Sequence, residues 1–272
     1  MKECVYSISS TQLETLKAGF EGYFESFRSD DPDRQRNFDL KATHTGHVCE
    51  EILLLGREIR LSDEDLRLAE AVALFHDIGR FEQYRRYGTF HDLVSVDHAD
   101  LGVSVIMENT LFECLDEETR DLALRVIAHH NKLAVPDDED ETCLFFTKLL
   151  RDADKLDIWR VVTDYYREKE KGGENCAIEL DLPDLPGITG KVYRDLLAGR
   201  NIRFVHLKTL NDFKLVQLGW AFDVNFAPTF RLLDERGYLE IIRDVLPPSL
   251  TTANAYYAVR HYVDKQMAAS ER

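Results

Sequence analysis

Ser62-Asp63-Glu64-Asp65-Leu66-Arg67-Leu68-Ala69-Glu70-Ala71-Val72-Ala73-Leu74-Phe75-His76-Asp77-Ile78-Gly79 decides how the fold is read. Ser62 with Asp65 resembles a capping box, which satisfies the unpaired amides of a first helical turn. Leu66, Ala69, Val72 and Ala73 then recur at helical spacing, and Gly79 reads as the stop. The last turn of this helix carries His76 and Asp77, two groups rarely buried without a chemical reason.

The flanking sequence repeats the pattern. Asp39 to about Leu61 predicts a long helix in which His44, His47 and Glu51 share a side, and Asp31-Pro32 predicts a shorter helix ahead of it. Ser95 to Glu108 predicts another, with His98, Leu101, Val105 and Ile106 in spacing, and Asp116 caps one that runs to Asn131 and ends in His129 and His130. Arg85, Arg86, Tyr87, Phe90, His91 and Asp92 read as a loop between two of these helices. The acidic stretch Asp137 to Glu141 reads as a loop and helix start, and Thr142 to about Glu168 as a long helix with Asp154 in its middle. Alternating Val/Ile/Thr stretches are nearly absent, so the chain is expected to be all-α.

Residues 1–168 are expected to form the core with N-terminal helices. Residues 169–190, with Gly172-Gly173, Pro183 and Pro186, are expected to form a loop or lid, and 191–272 a helical extension packing on the core. The extension includes Thr209 to Asp223, Pro228 to Val245 and Thr252 to Ala268. Its apolar stripe, Leu232, Leu233, Leu239, Ile241 and Ile242, suits either the core or a homodimer interface.

Fifty acidic against 34 basic residues leave a net charge of −16, which disfavours a long nucleic acid or an anionic membrane as partner. The five cysteines are scattered without a C-x-x-C pair, and no apolar run approaches the roughly 18 residues that span a bilayer. A reduced, cytoplasmic protein is expected.

Seven of the nine histidines, at positions 44, 47, 76, 91, 98, 129 and 130, fall within one segment of the chain. Burying several imidazoles beside Asp77 and Asp154 without partners would cost several kcal/mol, whereas one divalent cation satisfies neutral imidazole and ionised carboxylate together. A nitrogen and oxygen donor set suits manganese, iron, cobalt, nickel, zinc or magnesium and excludes copper(I) and iron–sulfur centres.

Lys41-Ala42-Thr43-His44-Thr45, Phe75-His76-Asp77-Ile78-Gly79 and Arg151-Asp152-Ala153-Asp154-Lys155-Leu156-Asp157 resemble, in order and separation, the successive motifs of the HD superfamily of metal-dependent phosphohydrolases. The resemblance covers about residues 38 to 165. It implies an HD-domain helical bundle, here with additional C-terminal helices, in which His44, His76, Asp77 and Asp154 bind a divalent metal ion. His47 stands where the family often has arginine, and a helper or structural role suits it better than a ligand role.

The binuclear kind of HD protein carries further histidines on two intervening helices, here His98 and His129, with His130 able to join or replace His129. One tightly held cation with His98 and His129 lining the pocket is the first reading; two cations per chain is the second. The resemblance further implies hydrolysis of a phosphomonoester or phosphodiester by metal-activated water, with Asp77, His98, His129 and Lys155 as the catalytic set. Arg80, Lys132 and Lys155 are placed to hold phosphate, a surface salt bridge being the equal alternative for each. The expected substrate is a small phosphorylated molecule, first of all a nucleotide. The Gly-Tyr-Pro motif of the cyclic-di-GMP branch does not follow His129-His130-Asn131, which counts against cyclic dinucleotides. A regulatory protein that binds nucleotide and metal without turnover, and a di-iron oxygenase of HD type, are the other readings.

Overall fold

Ser9 accepts the Gln12 amide while the Gln12 side chain accepts the Ser9 amide, a capping box that starts α1 (Ser10–Glu25). A computed structural model describes residues 6–136, 138–169, 176–180 and 182–270 of the chain. Side-chain capping recurs along it: Asp31 caps α2 (Pro32–Glu58) and Ser62 caps α3 (Asp63–Phe75). After α4 (Gly79–Tyr87), Asp97 caps α5 (His98–Glu108) and Asp116 caps α6 (Glu117–His129). The long α7 (Glu141–Lys169) follows. The described residues contain no strand, so the chain is all-α, and none of their helices is long and apolar enough to cross a membrane.

The chain divides inside α7 into two compact units, Met1–Asp154 and Lys155–Arg272. The sequence reading ended its core at residue 168, where the unbroken periodicity of α7 stops. In the first unit α3 packs against α1, α2 and α6, while α5 packs against α4 and α6. Its core is rich in aromatic rings: Phe75 meets Phe20 edge-on at 5.9 Å and Phe112 at 4.8 Å between centroids.

In the second unit Glu179 ends the short α8 (Cys176–Glu179) and accepts hydrogen bonds from the Tyr165 hydroxyl at 2.7 Å and Lys169 Nζ at 2.5 Å. The lid expected over 169–190 falls partly outside the described residues, since 170–175, with Gly172-Gly173, and 181 are not among them. The remaining helices are α9 (Gly190–Leu197), α10 (Leu210–Gly219), α11 (Ala227–Glu235), α12 (Tyr238–Asp244) and α13 (Leu250–Ser270). Leu232, Leu233, Leu239 and Ile242 are buried in the core of this unit.

Several boundaries differ from the sequence reading. Asp31-Pro32 and the helix expected from Asp39 are one helix, α2. Pro228 to Val245 is two helices, broken where Gly237 takes a φ of 64°. Arg85-Arg86-Tyr87 is the last turn of α4 rather than loop, and both arginines pair with Glu82 on the same helix.

The most consequential difference is Gly79, which begins α4 instead of ending α3. His76 and Asp77 therefore lie in the connection between the two helices. A Cβ on Gly79 would sit 2.2 Å from the His98 carbonyl oxygen and 2.6 Å from the Gly102 nitrogen. The glycine is needed for this close approach of α4 to α5.

Gly79→Ala is expected to destabilise the protein by at least about 2 kcal/mol, since its obstacles are backbone atoms. Gly46→Ala, at an exposed position of α2 with nothing within 4 Å of the added carbon, should stabilise by about 0.5–1 kcal/mol. Urea unfolding of both variants is the check; a neutral Gly79→Ala would contradict the close crossing.

Candidate metal centre

Five segments of the first unit deliver polar side chains to one buried place. His44 lies on the buried face of α2 with Val48, Ile52 and Leu55. His76 and Asp77 come from the α3–α4 connection, His98 is the first residue of α5, His130 directly follows α6, and Asp154 sits on α7. All are buried except Asp154, whose side chain is 18% exposed.

Hydrogen bonds on the far side of three rings fix which nitrogen faces the centre. His76 Nδ1 donates to the Ala73 carbonyl and His130 Nδ1 to the Ile127 carbonyl, both at 2.7 Å. A carbonyl oxygen only accepts, so each Nδ1 carries the proton and each Nε2 a lone pair. His98 Nδ1 lies 2.6 Å from Asp92 Oδ2 and likewise donates to it. Burial raises the Asp92 carboxyl, but hydrogen bonding and charge from His98, with Arg80, outweigh it and keep the group ionised.

The Nε2 atoms of His98 and His130 consequently face each other with lone pairs at 3.1 Å. Two nitrogens bound to one cation at about 2.1 Å and at right angles would lie about 3.0 Å apart. Sharing a proton is the poorer answer. Burial, then His98 and His76, push His130 down to about 3, and burial, then Arg80, lower His98. His76 Nε2 is buried with no hydrogen-bond partner. The donor set fits a divalent cation.

Asp77 is shared between the two sides of the cluster. Its Oδ2 lies 3.6 Å from His44 Nε2 and 3.8 Å from His76 Nε2, and its Oδ1 lies 3.4 Å from His98 Nε2. Asp154 Oδ1 lies 3.1 Å from His44 Nε2 and 3.7 Å from His76 Nε2. Donor atoms fall within 4.8 Å of one another in three overlapping groups: His44, His76 and Asp77; His76, His130 and Asp154; Asp77, His98 and His130. Burial raises Asp77, but Lys41, His76, Arg80 and His98 outweigh it and hold the carboxyl well below the usual range. Burial likewise raises Asp154, and the neighbouring His44 and His76 reverse the effect.

A second layer orients these ligands. Arg80 donates to Asp77 Oδ1 at 3.3 Å, Asp92 Oδ1 at 2.7 Å, the Phe90 carbonyl at 2.6 Å and Gln83 Oε1 at 2.9 Å. Gln83 Nε2 donates in turn to Asp92 Oδ1 at 2.8 Å. Arg151 Nη1 donates to the carbonyls of His130 at 2.8 Å and Lys132 at 2.6 Å, pinning the chain that leaves α6. Lys41 Nζ donates to Asp77 Oδ2 at 2.8 Å.

His44, His76, Asp77, Asp154 and His98 thus come together, and so does His130. His129, placed first by the sequence reading, points elsewhere: its Nε2 lies 2.8 Å from Glu139 Oε1, a carboxylate also paired with Arg125. Neighbouring helical residues diverge by about 100°, so only one of this pair can face the cluster. His47 belongs to none of the three donor groups. Arg80 is enclosed by its four acceptors, Lys132 pairs with Asp97 and Asp100 at 2.8 Å each, and Lys155 lies in the second unit, 2.7 Å from Asp223.

Sequence reasoning missed Lys41, Gln83 and Arg151 as parts of the site and gave Asp92 no role at the metal. Lys41 had a signal, standing one helical turn before His44 on the same face. Asp92 had none, because its loop carries no period.

The family model described as HD domain matches residues 42–159, from just ahead of His44 to just past Asp154. No curated protein and no solved structure matches the chain.

His130→Ala is expected to lower the metal bound per chain after loading with manganese, while His129→Ala keeps the unsubstituted protein's stoichiometry. Elemental analysis by mass spectrometry decides. Equal losses in both variants would contradict the assignment of His130.

Proposed function

With residues 42–159 an HD domain, we propose that the chain is a metal-dependent phosphohydrolase acting on a phosphomonoester or phosphodiester of a small molecule, a nucleotide being the expected class. The observation that carries this reading is the buried donor set in which the Nε2 lone pairs of His76, His98 and His130 converge while the outer nitrogen of each is already bonded.

A divalent cation bound there supplies Lewis acidity toward water and toward a phosphoryl oxygen. His44, His76, Asp77 and Asp154 would hold one cation, and Asp77, His98 and His130 would be the donors for a second. Asp77 is common to both sets, and Arg80 bonds its carboxylate and that of Asp92. Asp92 holds the proton on His98 Nδ1, so His98 Nε2 is free either to bind a cation or, with one cation present, to take a proton from the attacking water. An imidazole-rich set favours manganese, iron, cobalt, nickel or zinc over magnesium. The net charge of −16 supports a small substrate over a polynucleotide.

The test uses metal-stripped protein refilled with manganese, nickel, iron or magnesium, a panel of nucleotides with an aryl phosphate, and Asp77→Ala beside it. Metal-dependent phosphate release, reduced by at least about a thousandfold in Asp77→Ala, is the expected result, a loss on the scale of other groups that stabilise charge in a transition state. Bound iron with no hydrolysis of any phosphate would sink the proposal in favour of an oxygenase.

A further inference from the structure

Resting on the phosphohydrolase reading, we propose that Lys41 holds a non-bridging phosphoryl oxygen of the substrate at the metal centre. None of the sequence motifs assigned it that role.

The centre is closed on most sides. The side chains of His44, His76, Asp77 and His98 are 0–5% exposed, whereas Asp154 is 18% and Lys41 17% exposed. Asp92 and Arg80, the neighbours of Asp77 on the His98 side, are 30% and 14% exposed; of the two basic groups bonded to Asp77, Lys41 is the more exposed.

The other basic groups around the cluster carry more acceptors. Arg80 Nε and Nη1 serve Asp77, Asp92, Phe90 and Gln83, Lys132 pairs with two carboxylates, and Arg151 Nη1 holds two carbonyl oxygens. Lys41 Nζ has three donors and one carboxylate acceptor, Asp77 Oδ2 at 2.8 Å. Its stem is steadied with the ammonium 5.3 Å from the centroid of the Phe90 ring. The oxygen it touches is the one facing His44 and His76 at 3.6 and 3.8 Å. A phosphoryl oxygen on the remaining Lys41 donors would thus lie beside the donor set, in reach of a charge-assisted hydrogen bond.

The competing role is structural: Lys41 only neutralises Asp77. Titration calorimetry of inorganic phosphate into manganese-loaded unsubstituted protein, K41M and K41R, with metal content measured on the same samples, separates the two. The expected result is full metal content in K41M with phosphate bound about ten- to a hundredfold more weakly, as for loss of one charge-assisted bond. K41R should recover most of the affinity, and the KM for a hydrolysed ester should rise more than kcat falls. Unchanged phosphate affinity in metal-replete K41M overturns the role of Lys41 and leaves the phosphohydrolase reading standing. Loss of metal from both variants assigns Lys41 to Asp77 alone and overturns it too. No phosphate binding by the unsubstituted protein overturns both readings together.

Discussion

Two carboxylates and four imidazoles share a place from which water is largely excluded, and the first unit is arranged around that constraint. Leaving such groups unpaired would cost several kcal/mol each. The chain answers from outside the cluster, with the Ala73 and Ile127 carbonyls, Asp92, Lys41 and Arg80 each taking a far-side atom or a carboxylate oxygen. On the inner side the Nε2 atoms converge with their lone pairs exposed to one another. That arrangement is poor for an empty core and good for a cation, because the same bonds that satisfy the outer nitrogens fix the tautomers that ligation needs.

The packing of α4 on α5 sets the distances within that cluster. Gly79 touches the backbone at His98 and Gly102, so the α3–α4 connection that carries His76 and Asp77 lies against the start of the helix that carries His98. Asp77 Oδ1 then stands 3.4 Å from His98 Nε2. A side chain at position 79 would push the two apart by an ångström or more, enough to part Asp77 from His98.

Much of this was legible in the sequence, for identifiable reasons. Helix starts were clear because Ser62, Asp31 and Asp116 are side-chain caps with a local chemistry. His44, His76, Asp77 and Asp154 could be named because the motifs that carry them keep their order and spacing. The misreadings came where a local signal had a tertiary cause. Gly79 looks like a stop because glycine often ends helices, yet here it admits a neighbouring helix. His129 and His130 are equivalent on paper, and only the geometry at the end of α6 selects between them. The division between Asp154 and Lys155 has no mark in the sequence at all, since α7 runs through it without a break.

Arg80 shows why the basic residues of an acidic protein divide their work. The residue after Gly79 looks like a phosphate binder, but its guanidinium bridges Asp77 to Asp92 and so connects the carboxylate shared by the donor groups to the one that orients His98. A planar fork with several donors suits that bridging task, and a substrate oxygen at Nε or Nη1 would have to displace bonds already made inside the protein. The net charge of −16 does not by itself forbid an anionic substrate. Charges separated by more than about 8 Å are largely screened at physiological ionic strength, so the field a small phosphate meets at the centre is set by its nearest groups. With the proposed cation among the histidines, the ammonium of Lys41 would help make that local field positive.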